Sequence, residues 1–153
     1  MPNLYIMRHG QARNDATSDI KRRLTAAGQD HIKDLAKSLW DNEIDFDSVY
    51  YSPAVRTKET MMLMCQGLKI GEQFQNEDNR IYNASSSELQ AVINGINEKD
   101  EDVLLVGHNP GLEDLILSLT GKAVGLSPGN IVVVHGETWV DFFSRNCVMM
   151  KRY

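Results

Sequence analysis

Short apolar runs alternate with amphipathic stretches along most of the chain. Leu4-Tyr5-Ile6-Met7, Val103-Leu104-Leu105-Val106 and Ile131-Val132-Val133-Val134 are continuous apolar runs, the pattern of strands covered on both faces. From Thr25 to Trp40 the spacing is helical. Ile32, Leu35, Ala36, Leu39 and Trp40 form an apolar stripe opposite Asp30, Lys33, Asp34 and Lys37, with Thr25 as the cap. A second helix begins after Ser52-Pro53 and packs through Ala54, Val55, Met61, Met62 and Cys65. A third opens at Ser85-Ser86-Ser87-Glu88 and carries Leu89, Val92, Ile93 and Ile96. A fourth follows Pro110 through Leu112, Leu115, Ile116 and Leu119. The segment from Gly71 to Ser87 is irregular, with Ile81-Tyr82 read as the end of a short strand. After His135, Gly136-Glu137-Thr138 reads as a turn and Trp139 to Ser144 as a last, edge strand. Strands interleaved with helices predict an α/β sandwich. No repeat or proline-rich linker divides the chain, so one domain over 1–153 is expected.

Composition narrows the function. A length of 153 residues with 42% hydrophobic content is enough for a sizeable core, and no apolar stretch approaches the roughly 20 residues of a membrane span. Met1-Pro2-Asn3 leads directly into the first strand without the pattern of a signal peptide, so a cytoplasmic location is expected. The two cysteines, Cys65 and Cys147, lack paired spacing and read as reduced, packed thiols. A net charge of −5 argues against a nucleic-acid surface, which needs clustered cations. The four histidines, His9, His31, His108 and His135, show no short spacing of the kind that holds a metal. No metal or cofactor is therefore expected.

The cations that matter lie at the ends of elements. Arg8-His9-Gly10 ends the first strand, where open α/β sheets collect ligands. Gly107-His108-Asn109-Pro110-Gly111 ends another. Between them, Tyr50-Tyr51-Ser52-Pro53-Ala54-Val55-Arg56-Thr57 puts Arg56 in the first turn of a helix, where free N–H groups already favour an anion. Arg22-Arg23-Leu24-Thr25 adds two more cations just before the Thr25 cap. An arginine fork suits phosphoryl oxygens, and neutral imidazole is a nucleophile near neutral pH. Taken singly, each arginine would more often be a surface cation and each histidine a structural one. Two histidines at equivalent strand ends favour a site instead.

These stretches, Leu4 to Ala12, Arg22 to Gly28, Tyr51 to Thr60 and Val103 to Gly111, resemble in order and spacing the histidine phosphatase superfamily, and within it the small SixA-type phosphohistidine phosphatases. The resemblance implies a three-layer sandwich with a mixed, mostly parallel central sheet, as in phosphoglycerate mutase-like folds. It also implies His9 as the phosphoryl acceptor, with Arg8, Arg56 and His108 around the phosphate and Arg22 as a further contact. The expected activity is metal-independent hydrolysis of a phosphorylated protein, through phosphohistidine on His9, or of a small phosphorylated substrate by the same route. A binding module for a phosphorylated partner, without turnover, is the alternative of a different class; it would not need the nucleophile.

Protonation of the leaving group is the open step. An alkoxide needs a general acid, whereas imidazole, with a conjugate-acid pKa of about 6.5, departs with little help. Asp19, in the loop before Arg22, and Glu88, at the start of the third helix, are the candidate acids.

Overall fold

The computed structural model describes all 153 residues. Six strands form one sheet: β1 (Asn3–Arg8), β2 (Ser48–Tyr51), β3 (Gln75–Glu77), β4 (Asp102–Gly107), β5 (Ile131–His135) and β6 (Val148–Arg152). Their order is β3-β2-β4-β1-β5-β6. Neighbours from β3 to β1 pair in parallel, while β5 runs antiparallel to both β1 and β6. The sheet is thus mixed and mostly parallel, as the resemblance implies.

The apolar runs are covered on both sides because alternate residues point to opposite faces. Leu4, Ile6, Val103, Leu105, Val132 and Val134 meet α3 (Ser86–Asn94) and α4 (Gly111–Thr120) on one face. Tyr5, Met7, Leu104, Val106, Ile131 and Val133 meet α1 (Ala26–Asp41) and α2 (Val55–Leu68) on the other. Three layers result. No helix is long and apolar enough to cross a membrane.

Helix α1 matches its expected span, and Thr25 caps it by accepting from Gly28 N at 2.9 Å. Two positions read as core are not. Trp40 is 47% exposed beneath the Lys69 ammonium, and Met62 is 51% exposed. The Ile81-Tyr82 strand is also corrected. The edge strand lies earlier, at β3, and Asn79–Ile81 forms a 3-10 turn whose start Asp78 caps through Arg80 N. With few apolar residues, β3 carries no hydrophobic signal.

A larger correction concerns Trp139–Ser144, which is a helix, α5, and not an edge strand. Its β-branched and aromatic residues suggest a strand, but the Asp141 carboxylate accepts from the backbone N–H groups of Glu137 and Thr138 and fixes a helical start. Trp139 and Phe142, three apart, then pack together with ring centroids 4.8 Å apart. The edge is β6 instead.

Candidate active site

The parallel register of β1 and β4 aligns Arg8 with Gly107, so the residues that follow, His9 and His108, stand side by side. Their ring centroids are 5.2 Å apart. Strand β2 pairs on the other side of β4 and leads through Ser52 into α2, whose first turn carries Arg56. Three neighbouring strands thus deliver both histidines and Arg56 to one end of the sheet. The turn after His9 is pinned to α2, because Gly10 N donates to Thr60 Oγ1 at 3.0 Å and that hydroxyl donates to Arg56 O at 2.7 Å. Gly28 lets the following loop rest against α1, since a Cβ there would lie 2.4 Å from Gln11 O.

Arg56 is the hub. Only 5% exposed, its side chain donates from Nε to His9 Nε2 at 3.3 Å, from Nη1 to Asp19 O at 2.7 Å and from Nη2 to Asp19 Oδ2 at 3.1 Å; Nη2 also lies 3.2 Å from His108 Nδ1. Guanidinium has no acceptor, so both facing ring nitrogens are unprotonated. His9 therefore carries its proton on Nδ1, donated to Gly10 O at 2.7 Å. His108 carries its proton on Nε2, donated to Ser52 Oγ at 2.7 Å.

Burial above all, then the arginines, pushes His9 down to about 4, despite the opposing hydrogen bond to Gly10 O. His108 is pushed down to about 3 by burial, then by Arg56 and His9. Both rings are neutral near pH 7. Arg8 donates from Nη1 to Leu126 O at 3.0 Å, and its buried Nε has no protein partner. Such a donor suits an oxyanion. Arg22 donates to Arg13 O at 2.7 Å and to Asp19 Oδ1 at 3.3 Å, which brings it to the same rim.

The two acid candidates separate. Asp19 reaches the site, but Tyr82 O–H donates to its Oδ2 at 2.7 Å, and with Arg56 and Arg22 this holds its carboxyl down to about 2. With these partners Asp19 is thus a hydrogen-bond acceptor and not a proton donor. Glu88 is engaged elsewhere. Its carboxylate accepts from Ser85 N at 3.2 Å and closes the capping box of α3.

Four contributors escape the sequence reading. Ser52 orients His108, and Thr60 orients Gly10. Tyr82 packs edge-on against His108 with centroids 5.6 Å apart. Glu113 accepts from Asn109 Nδ2 at 2.8 Å and from Leu126 N at 2.9 Å, and so supports the carbonyl that Arg8 grips. Ser52 and Thr60 lie inside the recognised stretches. Tyr82 and Glu113 carry no local signal.

Comparison with known proteins agrees with this arrangement. The model of the histidine phosphatase superfamily (branch 1) matches residues 4–79. Phosphohistidine phosphatase SixA of Escherichia coli (strain K12) is 38% identical over 58 residues, a segment covering 38% of this chain and 36% of that protein. The SixA homolog of Haemophilus influenzae is 30% identical over 130 residues, covering 78% of each. The solved structure of protein histidine phosphatase SixA complexed with tungstate superposes with a TM-score of 0.83 at 25% identity, covering 98% of this chain and 95% of that one. With the sheet, the paired histidines and these similarities together, the chain belongs to the histidine phosphatase superfamily and is of the SixA type.

Proposed function

We propose that the protein is a phosphohistidine phosphatase, working without a metal through a phosphoryl group carried on His9. One observation carries the reading: the His9 ring has Nδ1–H committed to Gly10 O and a bare Nε2 beside the Arg56 guanidinium. That is the form of imidazole that attacks phosphorus. Arg8, Arg22, Arg56 and His108 surround it as the phosphate-binding groups, and the similarity to proteins named SixA supports the substrate class.

In the first step His9 Nε2 forms a bond to phosphorus while the bond to the leaving nitrogen breaks, its electron pair going to that nitrogen. The arginines offset charge on the equatorial oxygens. Gly10 O keeps the proton on Nδ1, so phospho-His9 is an imidazolium and a good leaving group in its turn. Water then attacks phosphorus, and dihydrogen phosphate and neutral His9 result. No step calls for a Lewis acid. We assign the enzyme to the cytoplasm, where its two free, buried thiols stay reduced. The substrate is a phosphorylated protein or a small phosphorylated molecule, and neither nucleic acid nor membrane is a partner.

The test compares a phosphohistidine protein with a panel of phosphomonoesters, followed by rapid quenching with labelled substrate. Acid-labile label on His9, lost in His9→Ala, is expected. Preference for alkyl monoesters would move the assignment to a phosphatase of small metabolites, and phosphate binding without turnover would mark a binding module.

A further inference from the structure

Asp19 is a carboxylate held in place with no proton to donate, at the exposed edge of a site in which His9 and Arg56 are buried. Its side chain is 51% exposed, against 6% for that of Arg56. It is fixed twice over: its backbone oxygen takes Arg56 Nη1 at 2.7 Å, and its Oδ2 takes both Arg56 Nη2 and the Tyr82 hydroxyl. The Tyr82 ring that bonds this carboxylate also packs T-shaped against His108, with centroids 5.6 Å apart. In-line displacement sends the leaving group away from His9, which is buried, and so toward the exposed side of the site. The Asp19 carboxylate, joined to Arg56 and to the Tyr82 hydroxyl, is the anion on the exposed edge.

For an alkoxide this is the wrong equipment. For an imidazole it is the right one. Cleavage of a phosphoimidazole gives neutral imidazole only if the nitrogen remote from phosphorus carries a proton; otherwise the leaving group is imidazolate, which is far more basic. The enzyme meets the same demand on its own side, where Gly10 O holds the remote proton of His9. Transfer between two imidazoles requires an equivalent acceptor for the ring that leaves.

We propose that Asp19, anchored by Tyr82, is that acceptor: its carboxylate takes a hydrogen bond from the remote N–H of the substrate imidazole and keeps the ring an imidazolium while the P–N bond breaks. The bond's electron pair passes to the leaving nitrogen, the remote proton stays where it is, and neutral imidazole departs. This rests on the phosphohistidine reading above and gives it a structural source of selectivity. The groups facing the leaving ring are Asp19, Tyr82, Arg22, Arg56 and His108. The arginines contribute fixed charge, the Tyr82 phenol is pushed above its ordinary value chiefly by Asp19, and His108 lies down at about 3. In the free enzyme none of these titrates near neutral pH; in the complex the limb of kcat contains the bound substrate ring on phosphoimidazole and lacks it on a substrate without one.

The experiment measures kcat/KM and kcat against pH for N-phosphoimidazole and p-nitrophenyl phosphate in the wild type, Asp19→Asn and Tyr82→Phe. The phenolate of the second substrate leaves without a remote proton. Asp19→Asn should lower kcat/KM for phosphoimidazole by about ten-fold more than for p-nitrophenyl phosphate, the scale of one charge-assisted hydrogen bond. The alkaline limb of its kcat should move down by about one pH unit more on phosphoimidazole than on p-nitrophenyl phosphate, as loss of a nearby opposite charge does to a bound ring. Tyr82→Phe keeps the carboxylate and removes its anchor, so it should shift both readouts the same way by less. Equal losses on both substrates, with kcat limbs that move together or not at all, would overturn the role of Asp19 and leave the phosphohistidine reading standing. A wild type that hydrolyses monoesters and ignores phosphoimidazole would overturn that reading itself.

Discussion

Arg56 Nε lies 3.3 Å from His9 Nε2, with the guanidinium as donor and the imidazole as acceptor. A residue expected only to bind phosphate therefore also sets the tautomer of the nucleophile. Through Nη2 it does the same for His108. When a phosphoryl group arrives, Arg56 can turn its donors to the oxygens while Gly10 O continues to hold the proton on His9 Nδ1.

Arg56→Ala should accordingly cost at least about 2–3 kcal/mol of transition-state stabilisation in kcat/KM, as loss of a preorganised charged donor does. Arg23→Ala should cost much less, because that side chain is 67% exposed and pairs with Glu59 away from the histidines. Steady-state kinetics of the two variants decides between a clamp and a general surface-charge effect. Equal small losses would make Arg56 an ordinary cation.

Much of this site is legible in the sequence because strand ends announce themselves. His9 and His108 follow apolar runs directly, and Arg56 follows a proline at a helix start, so local order fixes where all three go. Helix α1 is legible for a similar reason, with a cap and a stripe in one segment. Tyr82 is different. It reaches Asp19 across 63 positions of sequence, from an irregular stretch whose path depends on how α3 packs. Helix α5 is masked by strand-forming side chains, and only Asp141 at the third position marks its start. The low carboxyl of Asp19 is not legible in the sequence, because a carboxylate's protonation depends on partners that come from three separate segments.

The depressed histidines tie stability to pH. Both rings are held below an unfolded value of about 6.5, His9 down to about 4 and His108 down to about 3, so in mildly acidic solution the unfolded chain takes up protons that the folded one refuses. Their stabilisation is complete above about pH 6.5 and declines as pH falls toward those values, by at most about 1.4 kcal/mol per pH unit for each ring. Asp19 acts in the same direction only in stronger acid, below its ordinary carboxyl range and down to about 2. Urea unfolding between neutral pH and about pH 4.5 should show a shallower slope in His108→Asn than in the wild type. Identical slopes would mean that burial does not keep His108 neutral.

Gly111 opens α4 directly after the loop that carries His108, and a Cβ there would lie 2.2 Å from Ala84 O and 3.3 Å from Leu89 Cδ1. Neither the backbone oxygen nor the core leucine can yield without moving α3 from α4. Gly111→Ala should therefore destabilise by about 1–3 kcal/mol, the usual cost of overpacking. Gly125→Ala is the matched control, since nothing lies within 4 Å of its Cβ, and it should stay within about 0.5 kcal/mol. Thermal or urea unfolding measures both. A neutral Gly111→Ala would show that this junction is looser than its contacts imply.

His108 presents an unprotonated Nδ1 to the site because Arg56 donates to it and Ser52 takes the proton at Nε2. A dianion with no hydrogen of its own, such as sulfate or the phosphoryl group of a substrate, offers that nitrogen no donor, and two lone pairs would then face each other. The ring resolves the conflict by taking up a proton, which gives it donors at both nitrogens and a charge opposite to the ligand's. The same dianion opposes the burial and the Arg56 repulsion that hold His108 down to about 3. Binding of sulfate slightly above neutral pH should therefore draw protons from solution. Titration calorimetry in buffers of different ionisation enthalpy measures the number directly. His108→Gln, which can donate through its amide without protonation, should bind more weakly and take up fewer protons. An unchanged proton count in that variant would assign the uptake to another group and leave His108 a neutral contact throughout.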